Sequence, residues 1–198
     1  MERLLCIVIG YAFGLFQTGY LYGKLKGVDL RREGSGNSGT TNALRVMGKK
    51  AGALVFLGDV LKFWLAILLT TRLFTGGVLH TPMGELLALY TGIGVVLGHN
   101  FPFYLGFKGG KGIAVTAAMI LVMDWRITLV CLVLFLGAVI LTRYVSLGSI
   151  LVVTAFFLMW VFLGLTGRLA VSGTPVFAES CVLAFVFAAM GSGGTARI

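Results

Sequence analysis

The chain has 198 residues, of which 58% are hydrophobic and 12% charged, with a mean hydropathy of +0.99. Soluble domains run at about 45–50% apolar and about 25% charged, so a water-soluble enzyme, a disulfide scaffold and a disordered chain are all excluded. The formal net charge of +9, from 16 Lys+Arg against 7 Asp+Glu, then reads as membrane topology before nucleic-acid binding, because Lys and Arg collect in cytoplasmic loops.

A bilayer-crossing helix takes about 20 apolar residues. Apolar runs fall at residues 4–23, 51–74, 83–103, 113–123, 127–141, 149–165 and 176–190. They predict an all-α polytopic membrane bundle of about seven transmembrane or half-spanning helices. One domain, residues 1–190, contains them all, and residues 191–198 form a tail. The first run is expected to be retained, since Glu2 and Arg3 make a weak signal-peptide start and residues 20–27 lack a small-x-small cleavage site. The fourth run is too short to span by itself and is expected to be a half-helix or to extend into the flanking loops.

The segments between the runs are of two alternating kinds. Residues 24–50, 108–112 and 143–149 are basic, whereas 75–82, 124–126 and 166–175 are nearly neutral. Placing the basic set on one side puts twelve of the sixteen cations there, Lys62 and Arg197 included, and leaves Arg3, Arg72, Arg126 and Arg168 on the other. The bias predicts a cytoplasmic basic face, an outer N-terminus and an inner C-terminus. Cys6, Cys131 and Cys181 sit singly inside apolar runs and are expected to be buried small hydrophobes; no metal site is expected.

Three segments carry chemistry. Residues 34–42 read Gly-Ser-Gly-Asn-Ser-Gly-Thr-Thr-Asn, between Arg32 and Arg45. Gly34 and Gly36 free the backbone so that N–H groups converge as in an anion-binding nest. Thr40 or Thr41 is expected to cap a short helix aimed at the same point. A phosphate there would meet N–H donors, the Asn37, Thr41 and Asn42 side chains, and Arg45; the same composition also suits a plain linker. In the second segment, Lys108-Gly-Gly-Lys-Gly112 immediately precedes an apolar helix. Ammonium charges, Gly109, Gly110 and Gly112 N–H groups and a helix start would coincide there. It lacks the Gly-Lys-Ser/Thr of a nucleotide-binding loop, which argues against nucleotide hydrolysis. The third, residues 143–149, adds Arg143 and the hydroxyls of Ser146 and Ser149.

Two further features invite a structural reading. His99, beside Asn100 and before Pro102, is expected to be a packed or capping residue. Asp59 and Lys62, three apart on one helix, are expected to pair, because each alone would cost about 2.5–3.5 kcal/mol near the bilayer centre. Three basic, glycine-backed segments with few carboxylates suit a site for more than one phosphate. They suit neither a carboxylate pair nor a Ser/His/Asp triad. A small membrane transporter or channel for phosphorylated anions is the alternative, since broken helices suit transport.

The order Gly-Ser-Gly-Asn-x-Gly-x-Thr-Asn-x-x-Arg, Gly-His-x-Phe-Pro-x-x-x-x-Phe-Lys-Gly-Gly-Lys-Gly and Arg-Tyr-Val-Ser-Leu-x-Ser resembles the bacterial acyl-phosphate:glycerol-3-phosphate acyltransferase family (PlsY). The likeness runs from about residue 9 to 165. It implies a multi-pass inner-membrane enzyme with its active-site loops at the cytoplasmic face. Such an enzyme moves a fatty acyl group from acyl phosphate to the 1-hydroxyl of glycerol 3-phosphate, giving lysophosphatidic acid for phospholipid synthesis. No cofactor, nucleic acid, acyl-CoA or acyl carrier protein is implied, and membrane lipid is the natural surrounding. Position by position, the resemblance implies Ser35, Arg45 and Lys111 as catalytic. It implies Gly34, Gly36, Asn37, Thr41, Asn42, Lys108, Gly109, Gly110, Gly112, Ser146 and Ser149 as phosphate-binding, with His99 and Arg143 in support. Two departures stand out. Phe63 replaces a usual Gly, and Gly-Ser-Gly-Gly-Thr-Ala-Arg-Ile after Met190 replaces the family's closing His-Arg-x-Asn-Ile motif. A frameshift would account for that tail, and its presence implies impaired activity.

Overall fold

The computed structural model describes residues 1–191. Arg197 and the rest of the replaced closing motif fall in residues 192–198, outside the described residues. Within the described residues there are eight α-helices and one 3-10 turn. In chain order they are α1 (Glu2–Gly14), α2 (Thr18–Leu25), α3 (Thr40–Phe74), α4 (Pro82–Asn100), the turn Phe103–Leu105, α5 (Ile113–Met123), α6 (Trp125–Thr142), α7 (Val145–Leu165) and α8 (Phe177–Gly191). The all-α bundle expected from the apolar runs is what forms. Five stretches are long and apolar enough to cross a membrane, α1–α2 together counting as one. The 11-residue α5 is a half-spanning helix, about 16 Å long at 1.5 Å per residue.

Boundaries differ from the runs in three places, each for a local reason. The first run is two helices, because the backbone turns aside at Gln17 (φ −89°, ψ 87°). There the Gln17 amide donates to the Gly14, Gly98 and His99 carbonyls at 3.2, 3.3 and 2.9 Å. The second run begins eleven residues early, at Thr40, and is interrupted at Gly48 (φ 83°, ψ −179°). Only glycine occupies that conformation readily, so the chain turns from a short helix into the long span here. Gly39, not Thr40 or Thr41, is the N-cap residue. The third basic segment is largely helical: Arg143, in the left-handed region (φ 59°), ends α6, and α7 starts at Val145. Ser146 and Ser149 are therefore helix-borne.

α1 and α4 pack through glycine. Gly10 and Gly14 lie against Gly94 and Gly98, so closely that a Cβ on any of them would overlap backbone atoms of the other helix. Small-x-x-x-small spacing is how membrane helices approach without a hydrophobic driving force. Behind this contact a core of Phe63, Leu89, Met119, Met123, Phe156, Trp160 and Phe187 joins α3, α4, α5, α7 and α8. The Trp160 indole donates to Ser180 Oγ at 3.1 Å. Outward-facing Leu129, Val133, Ile140, Leu158 and Phe162 stay exposed, as a lipid-facing surface requires.

The two kinds of connecting segment separate as expected. Asn37 Nδ2 donates to the Gly109 carbonyl at 3.2 Å, tying two basic segments together. Two neutral ones meet, Arg126 donating to the Arg168 carbonyl at 2.7 Å, and Val171 N–H donates to Glu85 in the first turn of α4 at 3.1 Å. Asp124 caps α6 by accepting from the N–H groups of Arg126 and Ile127.

Candidate functional site

Residues 27–39 fold into a compact loop organised by buried amides. Asn42, 2% exposed, reaches back from the first turn of α3. Its Oδ1 accepts from Ser35 N–H at 2.8 Å, and its Nδ2 donates to the Leu30 and Glu33 carbonyls at 2.9 Å each. Asn37 Oδ1 accepts from Gly39 N–H at 2.8 Å, and Ser38 donates to Gln17 at 3.3 Å. At the rim, Asp29 accepts from Arg31 (2.9 Å), whose guanidinium stacks 4.8 Å over the Tyr20 ring. The Arg31 hydrogen bond holds the Asp29 carboxyl below the usual carboxylate range.

The second loop returns along the end of α4. Gly109 and Gly110 donate their N–H groups to the Asn100 and His99 carbonyls, at 3.0 Å each. Tyr104 donates to the Leu15 carbonyl at 2.6 Å and Tyr11 to the Phe101 carbonyl at 3.0 Å, clamping the loop onto α1. Gly112, left-handed at φ 73°, then caps α5.

These loops frame a cavity of about 480 Å³. Its polar end is lined by Ser35, Asn37, Thr40, Thr41, Asn42, His99, Lys111, Gly112 and Ser149. Its apolar length runs between α3, α5, α6 and α7, past Leu44, Phe56, Ile120, Leu121, Cys131, Phe135, Leu136 and Val152. Residues from the first turns of three helices border it: Thr41 from α3, Ile113 from α5 and Val145 from α7. Helix starts favour anions through exposed N–H groups and the helix dipole.

Ser35, Asn37, Thr41, Asn42, His99, Lys111, Gly112 and Ser149 thus come together as the motifs suggested. Gly34, Gly36, Lys108, Gly109, Gly110 and Arg143 stand in the adjoining turns, and Arg45 and Ser146 near the starts of α3 and α7; none is among the lining residues. Arg45, Lys108 and Arg143 are exposed. One expectation changes. The N–H groups of Ser35, Gly36, Gly39, Gly109 and Gly110 are not left for a shared ligand. Each is bonded within its own region, because tight turns close on their own carbonyls and amides first. Helix starts and side chains, not a nest, supply what faces the cavity.

The structure adds residues that the motifs did not flag. Gln17, buried in an apolar run, ties α1, α4 and the first loop together; a lone amide in an apolar run is the signal that marks it. Asp59 and Lys62 do pair, at 2.8 Å, and Asp59 also lines the cavity. Thr18 donates to Asp59 at 3.0 Å. His99 is packed, as expected, but it joins this pair: its Nδ1 is 2.8 Å from Lys62 Nζ. Among the described residues, no group of three or more His, Cys, Asp or Glu is arranged to hold a metal.

Comparison with known proteins bears on this arrangement. The family model described as glycerol-3-phosphate acyltransferase matches residues 4–192. Curated relatives of that name include one from Clostridioides difficile (strain 630), 45% identical over 148 residues (74% of this chain, 71% of the relative). Another, from Alkaliphilus metalliredigens (strain QYMF), is 47% identical over 157 residues (78% and 75%). A crystal structure of PlsY (YgiH), an integral membrane glycerol 3-phosphate acyltransferase in its glycerol 3-phosphate form, superposes with a TM-score of 0.76 at 34% identity. That match covers 96% of this chain and 86% of that one. The lysophosphatidic acid form gives 0.72 at 33% identity with the same coverage.

Proposed function

The chain belongs to the glycerol-3-phosphate acyltransferase family, and from that premise we propose that it transfers a fatty acyl group from acyl phosphate to the 1-hydroxyl of glycerol 3-phosphate. The products are lysophosphatidic acid and inorganic phosphate. Family membership leaves the transporter alternative without support. The observation that carries the reading is the cavity's two-part character: an anion-suited end continuous with an apolar channel in one multi-pass membrane protein. Glycerol 3-phosphate fits the former and a fatty acyl chain the latter. Each buried CH₂ is worth about 0.8 kcal/mol, so the donor stays in lipid and enters laterally between helices.

In the step proposed, the 1-hydroxyl oxygen attacks the acyl carbonyl carbon. A C–O ester bond forms, the carbonyl-carbon-to-bridging-oxygen bond breaks, and phosphate leaves carrying the electron pair. The hydroxyl proton goes to that phosphate, giving hydrogen phosphate. An anhydride already has a good leaving group, so no acyl-enzyme is needed. The protein's task is to hold two anions side by side, orient the hydroxyl and stabilise the developing oxyanion. Lys111 supplies charge from the start of α5, with Lys108 and Arg45 strengthening the field at the mouth. Ser35, Asn37 and Thr41 offer hydrogen bonds to phosphate or carbonyl oxygens, Ser149 joins them by turning its hydroxyl from the Val145 carbonyl that it now holds at 2.9 Å, and Arg143 and Ser146 support them at the rim. Asn42 and the glycines at 34, 36, 109 and 110 shape the loops. Domain extent is proposed as residues 1–190, in the bacterial inner membrane, with these loops cytoplasmic and the N-terminus outside.

The test is purified protein with palmitoyl phosphate and labelled glycerol 3-phosphate. Lysophosphatidate formation that disappears in the Ser35→Ala/Arg45→Ala/Lys111→Ala variant supports the assignment. Undiminished turnover in that variant overturns the site, and product made from acyl-CoA but not from acyl phosphate overturns the donor.

A further inference from the structure

An ion pair buried among apolar helices is poor evidence of stabilisation, since desolvation consumes most of the attraction; Asp59 and Lys62 are 1% and 3% exposed. What this pair does for His99 is more specific. A lysine ammonium has three N–H donors and no acceptor. Lys62 has three partners, each at 2.8 Å: Asp59 Oδ1, the Phe16 carbonyl and His99 Nδ1. Asp59, which also accepts from Thr18 and is 1% exposed at the edge of the cavity, is stabilised as a carboxylate by a cation beside it. With the ammonium charged, all three partners accept and His99 Nδ1 carries no proton. A neutral imidazole then has its proton on Nε2.

That second nitrogen is on the loop side. A Cβ on Gly110 would overlap the His99 ring, Nε2 first of all, so the ring edge lies flush against the Lys108–Gly112 turn. The His99 carbonyl is fixed as well, accepting from Gly110 N–H at 3.0 Å and from the Gln17 amide at 2.9 Å. His99 itself lines the cavity. Backbone and ring plane are thus fixed by separate contacts, and a charged Lys62 would fix the proton position.

We propose that Lys62, held by Asp59, is a positioning residue. It locks His99 in the Nε2–H tautomer, so that the ring presents a fixed N–H donor to the phosphate of glycerol 3-phosphate seated against the glycine-rich turn. The proposal rests on the acyltransferase reading for its ligand, but its primary readout does not depend on turnover. His80 and His99 are the only histidines, and His80 is exposed, so ¹⁵N-histidine labelling of the full chain in detergent separates the two rings. His99 should show a protonated Nε2 and a bare Nδ1. In Asp59→Asn/Lys62→Met, which leaves no unpaired charge buried, both tautomers should appear, and KM for glycerol 3-phosphate should rise at least tenfold with a smaller change in kcat.

Two further variants leave the ion pair intact. The His99→Gln amide nitrogen reaches the Nε2 position, whereas His99→Asn reaches only Nδ1. Glycerol 3-phosphate should bind the Gln variant at least tenfold tighter than the Asn variant. A wild-type ring protonated on Nδ1, or equal binding by the two variants, overturns the proposal. A wild type that binds glycerol 3-phosphate with the expected tautomer yet makes no product from acyl phosphate instead overturns the acyltransferase reading.

Discussion

At the scale of single residues, the candidate site is a set of positions whose polar atoms divide between holding loops and facing the cavity. Asn42 is the clearest of the first kind. Truncation by Asn42→Ala strips Ser35 N–H, the buried Leu30 carbonyl and the Glu33 carbonyl of their partner, and leaving one buried group unsatisfied costs about 1–3 kcal/mol. We expect a lowered Tm together with a raised KM for glycerol 3-phosphate, both measured on the purified variant. Gly110 is a position of contact, not of conformational freedom. Gly110→Ala drives a methyl group into the His99 ring, and the turn must move. Misplacement by about 1 Å costs on the order of 10²-fold in rate, so acyl transfer should fall by that factor while the Tm changes little. Sequence reading finds both residues through their motifs. It misreads the N–H groups of the glycines, because a glycine-rich run looks the same whether its N–H groups face a ligand or its own carbonyls.

Helices and turns carry the next level. The apolar runs locate every helix to within a few residues, except where a polar side chain or a backbone torsion intervenes. Gly48 is one such place: Gly48→Ala puts a Cβ at φ 83°, a strain of about 1–3 kcal/mol, and should lower the Tm without touching the cavity directly. Asp124→Ala removes the α6 cap and is expected to cost about 0.5–2 kcal/mol, read in the same thermal melt. The α1–α4 seam is more demanding. Gly94→Leu has no room against the Ile7 carbonyl and Tyr11 N–H. Overpacking a tight contact costs about 3 kcal/mol or more when nothing can yield. Because α4 carries His99 and α1 meets the second loop through Tyr11, that variant should lose activity along with stability. The Gly-x-x-x-Gly spacings at 10/14 and 94/98 are visible in the sequence, but nothing local says that they face each other.

For the molecule as a whole, the described residues separate into a basic end, which holds the cavity's polar mouth, and a nearly neutral one. α3 alone, from Gly48 to Phe74 at 1.5 Å per residue, puts these ends about 39 Å apart, more than the roughly 30 Å of bilayer hydrocarbon. The charge imbalance is the basis of the proposed orientation, and labelling checks it. Lys108→Cys and Arg143→Cys should react with an impermeant maleimide only from the cytoplasmic side, and Gly76→Cys and Arg168→Cys only from outside. Labelling of Lys108→Cys from outside would reverse the proposed topology and remove glycerol 3-phosphate's route from the cytosol.

Hydropathy and charge are local properties, summed over neighbours in the chain. They alone determined the number and approximate position of the membrane helices, the alternation of basic and neutral connections, and the three segments from which the mouth is built. Which atoms of those segments remain for a ligand was decided by tertiary packing. So was the meeting of Lys62 with His99, 37 positions apart, because both depend on the relative rotation and depth of helices, and no short window of sequence encodes either.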